Sequence, residues 1–149
     1  MSVKMKPTSV IKARIGIQEG GKVQKFFCNE CYRYMSQFVP GGTKSHLNQS
    51  VSLARDGSAV IYNSPASHYL YIGKKYIDPK YKKGAFYSPD YGFWSRPGIT
   101  KIPTDKNLIY HTPGTGSRWD KRMWSARGKE LVKSVQNYVD RGCKWWLEK

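Results

Sequence analysis

The chain has 149 residues, enough for one domain (1–149) with a core of its own. Hydrophobic residues make up 39% and aromatics 14%, which excludes a disordered tail, and no apolar run reaches the ~18 residues that span a bilayer. Twenty-six Lys and Arg against ten Asp and Glu give a net charge of +16, a surface that attracts polyanions: nucleic acid, anionic membrane or an acidic protein partner.

The opening Met1-Ser2-Val3-Lys4-Met5-Lys6-Pro7 lacks the apolar run and cleavage site of a signal peptide. The chain therefore reads as soluble, made and kept in a reducing cytoplasm. Val3 to Ile17 interleaves β-branched residues with lysines and fits either a short strand or the start of a helix. Gly20-Gly21 punctuates it. From Val23 to Phe38 the apolar residues Val23, Phe26, Phe27, Cys31, Tyr34, Met35 and Phe38 recur at three- and four-residue steps. That spacing predicts a helix with one buried face, ended by Pro40-Gly41-Gly42.

Leu47 to Ala54 alternates apolar and polar residues, and Ala59 to Asn63 reads as its return strand. Asp56-Gly57 between them is a hairpin signal. His68 to Ile72 reads as a further strand, or as a short helical turn followed by one. Gly73 to Pro113 then shows weak periodicity, with five prolines and a dense mixture of aromatic and basic residues. We read residues 74–113 as a long extended aromatic-basic arm that finds its packing partner elsewhere, in the chain or on another copy. Ser117 is placed to cap a last helix, with Asp120 in its first turn. Trp119, Met123, Ala126, Glu130, Leu131, Val135, Tyr138 and Val139 follow at helical spacing, Glu130 being the polar exception, and Arg141-Gly142 closes the helix. The tail Cys143-Lys144-Trp145-Trp146-Leu147 is too aromatic to stand bare in water without reason.

The chemistry these residues offer is spare. Cys28-Asn29-Glu30-Cys31 has C-x-x-C spacing, but a zinc site needs four ligands, and no second pair or paired histidine accompanies it. It lies mid-helix rather than at the helix start where a redox thiol is activated. Cys28 and Cys31 are therefore read as core thiols, and three cysteines in all do not make a disulfide framework. His46, His68 and His111 lack a matching nucleophile or orienting carboxylate, and Asp56, Asp78, Asp90, Asp105 and Asp120 stand where turns or helix starts favour aspartate. No catalytic, metal or cofactor-binding residue is assigned, and the chain is not expected to be an enzyme. A small basic nuclease is the weakest of the classes considered.

The sharper signal is the segment 74–96. Lysines that track phosphates and rings that stack on bases suit single-stranded nucleic acid. Tyr, Trp and Arg are equally the residues enriched at protein interfaces. We favour the interface and assign to it Tyr81, Phe86, Tyr87, Phe93, Trp94 and Arg96. A nucleic-acid-binding protein using 74–96 is the alternative.

Several stretches carry a resemblance. They are Thr43-Lys44-Ser45-His46-Leu47-Asn48-Gln49-Ser50, the run from Val60 to Gly73, and Gly116-Ser117-Arg118-Trp119-Asp120-Lys121-Arg122. With them stand the aromatic runs Tyr81 to Pro89 and Tyr91 to Pro97. In these the chain resembles the minor capsid protein family encoded between the head and tail genes of long-tailed bacteriophages. That family is similar to the phage tail-completion, or head-tail joining, proteins. Lys44 stands where those proteins usually have glycine, while Leu47 and Ser50 keep the rest of that motif. The resemblance implies an α+β fold: a small antiparallel sheet packed by an N-terminal and a C-terminal helix. It implies a structural virion protein of the neck that joins head to tail and lines or supports the DNA conduit, in the virion after assembly and in the host cytoplasm before it. The partners implied are copies of itself in a ring, most often of six, neighbouring neck and tail proteins, and passing DNA. No cofactor and no membrane partner are implied.

Overall fold

The computed structural model describes residues 7–41 and 47–147, the last five of these as backbone only. The start of the Val3–Ile17 stretch, the Thr43–His46 half of the first resemblance motif, and the side chains of the aromatic tail lie outside the described residues.

The chain is α+β. Pro7 precedes helix α1 (Thr8–Ile15), which ends where Gly16 turns left-handed and its amide donates to the Lys12 carbonyl. The first stretch is thus a helix, with Val10 and Ile11 exposed. Helix α2 (Lys22–Met35) starts at extended Gly21 and ends in a turn at Ser36. A 3-10 turn follows at Leu47–Gln49, then β1 (Val51–Leu53), β2 (Val60–Tyr62), α3 (Ser67–Ile72), β3 (Lys74–Ile77), β4 (Phe86–Ser88), β5 (Gly92–Trp94), β6 (Ile102–Asn107) and α4 (Trp119–Leu147).

Helices α2 and α4 run antiparallel and form the body. Phe26 stacks on Tyr138 with ring centroids 4.1 Å apart, Ser134 bonds Glu30, and Arg127 reaches Gln37. Tyr34, Met35, Val39, Leu47, Trp119, Met123 and Leu131 make the buried core, and Leu131 is 0% exposed. The indole of Trp119 takes edge contacts from Tyr62 and Tyr71, so the β1–β2 hairpin and α3 close over the start of α4.

The apolar spacing of α2 locates its buried face, with two corrections. Phe27 is exposed and Glu30 is buried beside Tyr34 and Met35, while Cys28 is buried as a core thiol should be. On α4, Ala126 and Glu130 are exposed, and Glu130 pairs with Arg127 at the surface. The buried carboxylate between the two helices is Glu30. It accepts two hydrogen bonds from Arg33, at 2.9 and 2.7 Å, and one from the Ser134 hydroxyl at 2.6 Å. Those donors, Arg33 foremost, hold its carboxyl below the usual carboxylate range.

Asp56-Gly57 makes the hairpin that its sequence signals. The Asp56 carboxylate accepts from both the amide and the hydroxyl of Ser58, and Gly57 takes a φ of +72°. A Cβ at Gly57 would stand 2.8 Å from the α2 backbone, so the turn lies directly on that helix. The Leu47–Ala54 strand begins late. Ser50 returns both its amide and its hydroxyl to the Leu47 carbonyl, a local bond that competes with the ladder and winds the 3-10 turn.

Three further expectations are corrected. Among the described residues the antiparallel pairing falls into three separate two-stranded ladders, β1–β2, β3–β6 and β4–β5, rather than one sheet, because the strands are short and the helices intervene. Ser117 does not cap α4. The Arg118 carbonyl accepts the first helical bonds, from Lys121 and Arg122, so the helix starts one residue later. Gly142 does not end it either. The helix continues to Leu147, a glycine in a helix interior costing only ~1 kcal/mol relative to alanine. No helix among the described residues is long and apolar enough to cross a membrane.

Candidate functional site

The region from Gly73 to Leu108 is an arm with its own order. Strands β3 and β6 pair antiparallel, with a register irregularity between Lys74 and Tyr76, and Leu108 donates to the Gly73 carbonyl to close the base. Pro103 sits in β6 without breaking the ladder, since each strand of a two-stranded pair has one free edge. Gly73 is the joint to α3. Its φ is +75°, and a Cβ there would meet the Ser117 side chain at 2.7 Å. Tyr110 fastens the same joint by donating to the Leu70 carbonyl at 2.6 Å.

Asp78 organises the far half. It is 2% exposed and accepts four hydrogen bonds: from the amides of Lys80 and Tyr81 and from two nitrogens of Arg96, at 2.6 and 2.7 Å. Its backbone also bonds Lys82 and Lys83, which lets Lys82 take a left-handed φ of 56°. Charge-assisted bonds of this bidentate kind are short and directional. The Arg96 guanidinium, followed by the two amides, holds the Asp78 carboxyl far below the usual carboxylate range. Arg96 therefore ties β5 to the end of β3 and, over the Tyr81 ring at 4.9 Å, fixes that ring as well.

The β4–β5 hairpin turns at Pro89-Asp90-Tyr91, with Gly92 at φ +72°. Side chains alternate across a strand, and the register pairs Phe86 with Trp94 and Tyr87 with Phe93. The hairpin thus has two aromatic faces. On one, Phe86 packs against Trp94 (5.0 Å) and Tyr81 (5.5 Å). On the other, Tyr87 and Phe93 lie 5.3 Å apart and are 67% and 74% exposed, with Tyr91 at the tip 85% exposed.

The six residues expected at an interface thus divide. Tyr81, Phe86, Trp94 and Arg96 hold the arm together, although Tyr81 and Trp94 keep almost half their surface in water. Tyr87 and Phe93 point outward, largely exposed and packed against each other. Tyr91, not singled out in sequence, joins them. Lys80, Lys82 and Lys83 are exposed around the Asp78 turn.

A groove of about 550 Å³ opens on the body, bounded by α2, the β1–β2 hairpin, α3 and the first turn of α4. Phe27, Cys28, Cys31, Met35, Val60, Tyr62, Tyr71 and Trp119 make it mainly apolar, and His68 and Asp120 also line it. Asp120 accepts a hydrogen bond from the Tyr71 hydroxyl at 3.0 Å. The Tyr62 hydroxyl is buried without a hydrogen-bond partner among the described residues, and burial pushes it up to about 12. Burial also raises both thiols, Cys31 to about 11. Such thiols are poor nucleophiles at neutral pH. Among the described residues no three His, Cys, Asp or Glu side chains converge as metal ligands. His68 and His111 stay apart, one on α3 and one after β6, and His46 lies outside the described residues. Asp105, expected near a turn, sits inside β6.

No protein-family model, curated protein or solved structure matches the chain.

Proposed function

We propose that this chain is a structural assembly protein whose β-arm makes contacts between subunits. On this reading, which the sequence resemblance supports, it stands in the neck of a long-tailed bacteriophage, in a ring that joins head to tail around the DNA conduit. The observation that carries the reading is the outer face of the β4–β5 hairpin. Tyr87, Tyr91 and Phe93 are exposed on an arm whose far half is tied by the Asp78–Arg96 pair. Large rings are where interface energy concentrates, and each can bury on the order of 150–250 Å² against a partner. An arm ordered before contact also loses less entropy on binding than a floppy one.

The second reading, nucleic-acid binding, is favoured by Lys80, Lys82 and Lys83 standing exposed on the same arm. The two separate by substitution. On the assembly reading, Tyr87→Ala with Phe93→Ala leaves the chain folded and lowers the yield of joined heads and tails at least tenfold. Replacing the three lysines with glutamine then changes the yield little. If instead the lysine variant loses binding to single-stranded DNA, with a steep salt dependence in the parent chain, and the ring variant assembles normally, the nucleic-acid reading replaces it.

A further inference from the structure

We infer that the outer side of α4 binds single-stranded nucleic acid, stacking a base on Trp124 and holding phosphates with Lys121, Lys129 and Lys133. This surface belongs to the body rather than to the arm, and the inference does not rest on the assembly role proposed above.

Two observations carry it. The first is the seat of the indole. Trp124 is 54% exposed, yet Gly128, one turn further along the helix, is buried. A Cβ at Gly128 would stand 3.2 Å from Cδ2 of Trp124 and 3.5 Å from both Cε2 and Cγ. The ring therefore lies along the helix over a residue that has no side chain, and even an alanine there would crowd it. Glycine is a poor helix former, so its use at this point is explained by the seat that it leaves. One side of the ring rests on the helix, and the exposed part is left to a partner. Base stacking on such a ring is tolerant of sequence, because every base has a π-face.

The second observation is the charge beside that ring. Leu131, Ser134 and Tyr138 turn toward the core and α2. At 3.6 residues per turn, Lys121, Ser125, Lys129, Lys133 and Gln136 fall on the side away from them, and all five are exposed. Trp124 stands at the edge of this side, one turn from Lys121. Among the described residues none of the three lysines is in an ion pair. The one carboxylate between residues 121 and 133 is Glu130, and Arg127 holds it. Asp140, beyond the row, accepts from the Gln136 amide. The lysines thus face water as an uncompensated line of positive charge. From Lys121 to Lys133 the helix rises about 18 Å, the length of roughly five phosphates at the ~3.4 Å per charge of one stacked strand.

A charged line with an open ring at its edge fits a polyphosphate chain that carries bases. It fits a membrane surface poorly. A helix that lies in a lipid interface inserts its apolar side, and the apolar side of α4 is already spent on the core. A duplex would offer the phosphates but keep its bases stacked on one another, out of reach of the indole.

The test titrates the full-length chain against a fluorescently labelled oligothymidylate of about 16 nucleotides over a range of salt concentrations. Trp124→Ala should weaken binding about tenfold at every salt concentration and leave the salt slope unchanged, and Trp124→Phe should recover most of the loss. Replacing Lys121, Lys129 and Lys133 together with glutamine should lower the slope by about 2, at ~0.7 for each phosphate contact. The oligonucleotide should also quench the chain's tryptophan emission, less so in Trp124→Phe and undiminished in Trp94→Phe. The lysine slope and the Trp124→Phe quench decide the question even if Trp124→Ala alters the fold. The inference is overturned if the quench survives in Trp124→Phe. It is overturned if the slope moves with Lys80, Lys82 and Lys83 and not with the α4 lysines, which would put the contact on the arm. It fails equally if a duplex of the same length, or polyglutamate, displaces the labelled strand as well as unlabelled oligothymidylate does.

Discussion

The body and the arm are held together by different physics. In the body, α2 and α4 bury a continuous apolar seam around Leu131, Leu47, Trp119 and Met123. In the arm, ladders of three to six residues are organised about one buried carboxylate, Asp78, and its guanidinium partner. A two-stranded ladder is marginal alone in water. The arm is therefore ordered by polar geometry while Tyr87, Tyr91 and Phe93 stay outside, and the body is ordered by putting its rings inside. The comparison makes one demand at once. Leu131→Ala must damage the body, with a loss of about 2–5 kcal/mol for a fully buried leucine. In a chain this long that lowers the melting temperature by roughly 2–4 °C per kcal/mol, read by the helical circular dichroism signal. A loss below about 1 kcal/mol would mean that the seam is not where the body's stability lies.

A second substitution separates the regions. Asp78→Asn keeps the side chain's shape and removes its charge, leaving Arg96 without its partner. The helical melting transition should stay within a few degrees of the parent. Proteolysis within the 78–96 loop and hairpin should quicken on the order of tenfold, as expected when a local opening becomes easier. The pH dependence has a fixed sign. The folded carboxyl lies below its unfolded value, so its contribution is complete above ~3.9 and is lost as pH falls below that toward the folded value. Arm protection should thus hold through mildly acidic pH and fade only in strong acid, and the asparagine variant should lose that fade. A body that melts along with the arm in Asp78→Asn would erase the distinction.

How far each region could be read from sequence follows from the same difference. Apolar periodicity reports burial, so α2 and α4 were legible to within a few residues. Where it misled, at Phe27, Ala126 and Glu130, the stripe was drawn wider than the seam. Glu30 was missed because a buried carboxylate looks like any other glutamate until Ser134, far along the chain, is brought beside it; its only local signal was Arg33 three residues on. The arm was unreadable as strands because three-residue ladders are too short to show a period. Its order rests on Asp78–Arg96, a contact across the chain. The Pro89-Asp90 pair followed by Gly92, flanked by Phe86-Tyr87 and Phe93-Trp94, was a hairpin signal in plain sight. The division of the rings into two faces needed the register. The groove could not be foreseen, since it is made by four elements that meet only in the fold.

The smallest effect lies at the opposite end of the pH scale and belongs to the body. Cys31 lines the groove half-buried beside Cys28 and Glu30, and burial, followed by those two neighbours, raises its thiol to about 11. An ordinary thiol titrates near ~8.5. The folded value lies above the unfolded one, so the neutral thiol's contribution is complete below ~8.5 and is lost as pH climbs toward 11. Cys28, raised by burial, acts in the same direction. Tyr62, held at about 12, adds a further loss only above the ordinary phenol range of ~10. The urea midpoint of the helical transition should therefore slope downward between pH ~8.5 and ~10. Its steepness should fall well short of the ~1.4 kcal/mol per pH unit that one fully withheld proton allows, because the open groove screens the charge. Cys28→Ala with Cys31→Ala should flatten that stretch and leave the Tyr62 loss above it. The arm's proteolytic protection should not change over the same range. A slope unchanged in the double variant would mean that these thiols sit outside the cooperative body. A parallel alkaline loss of arm protection would mean that body and arm are one unit after all.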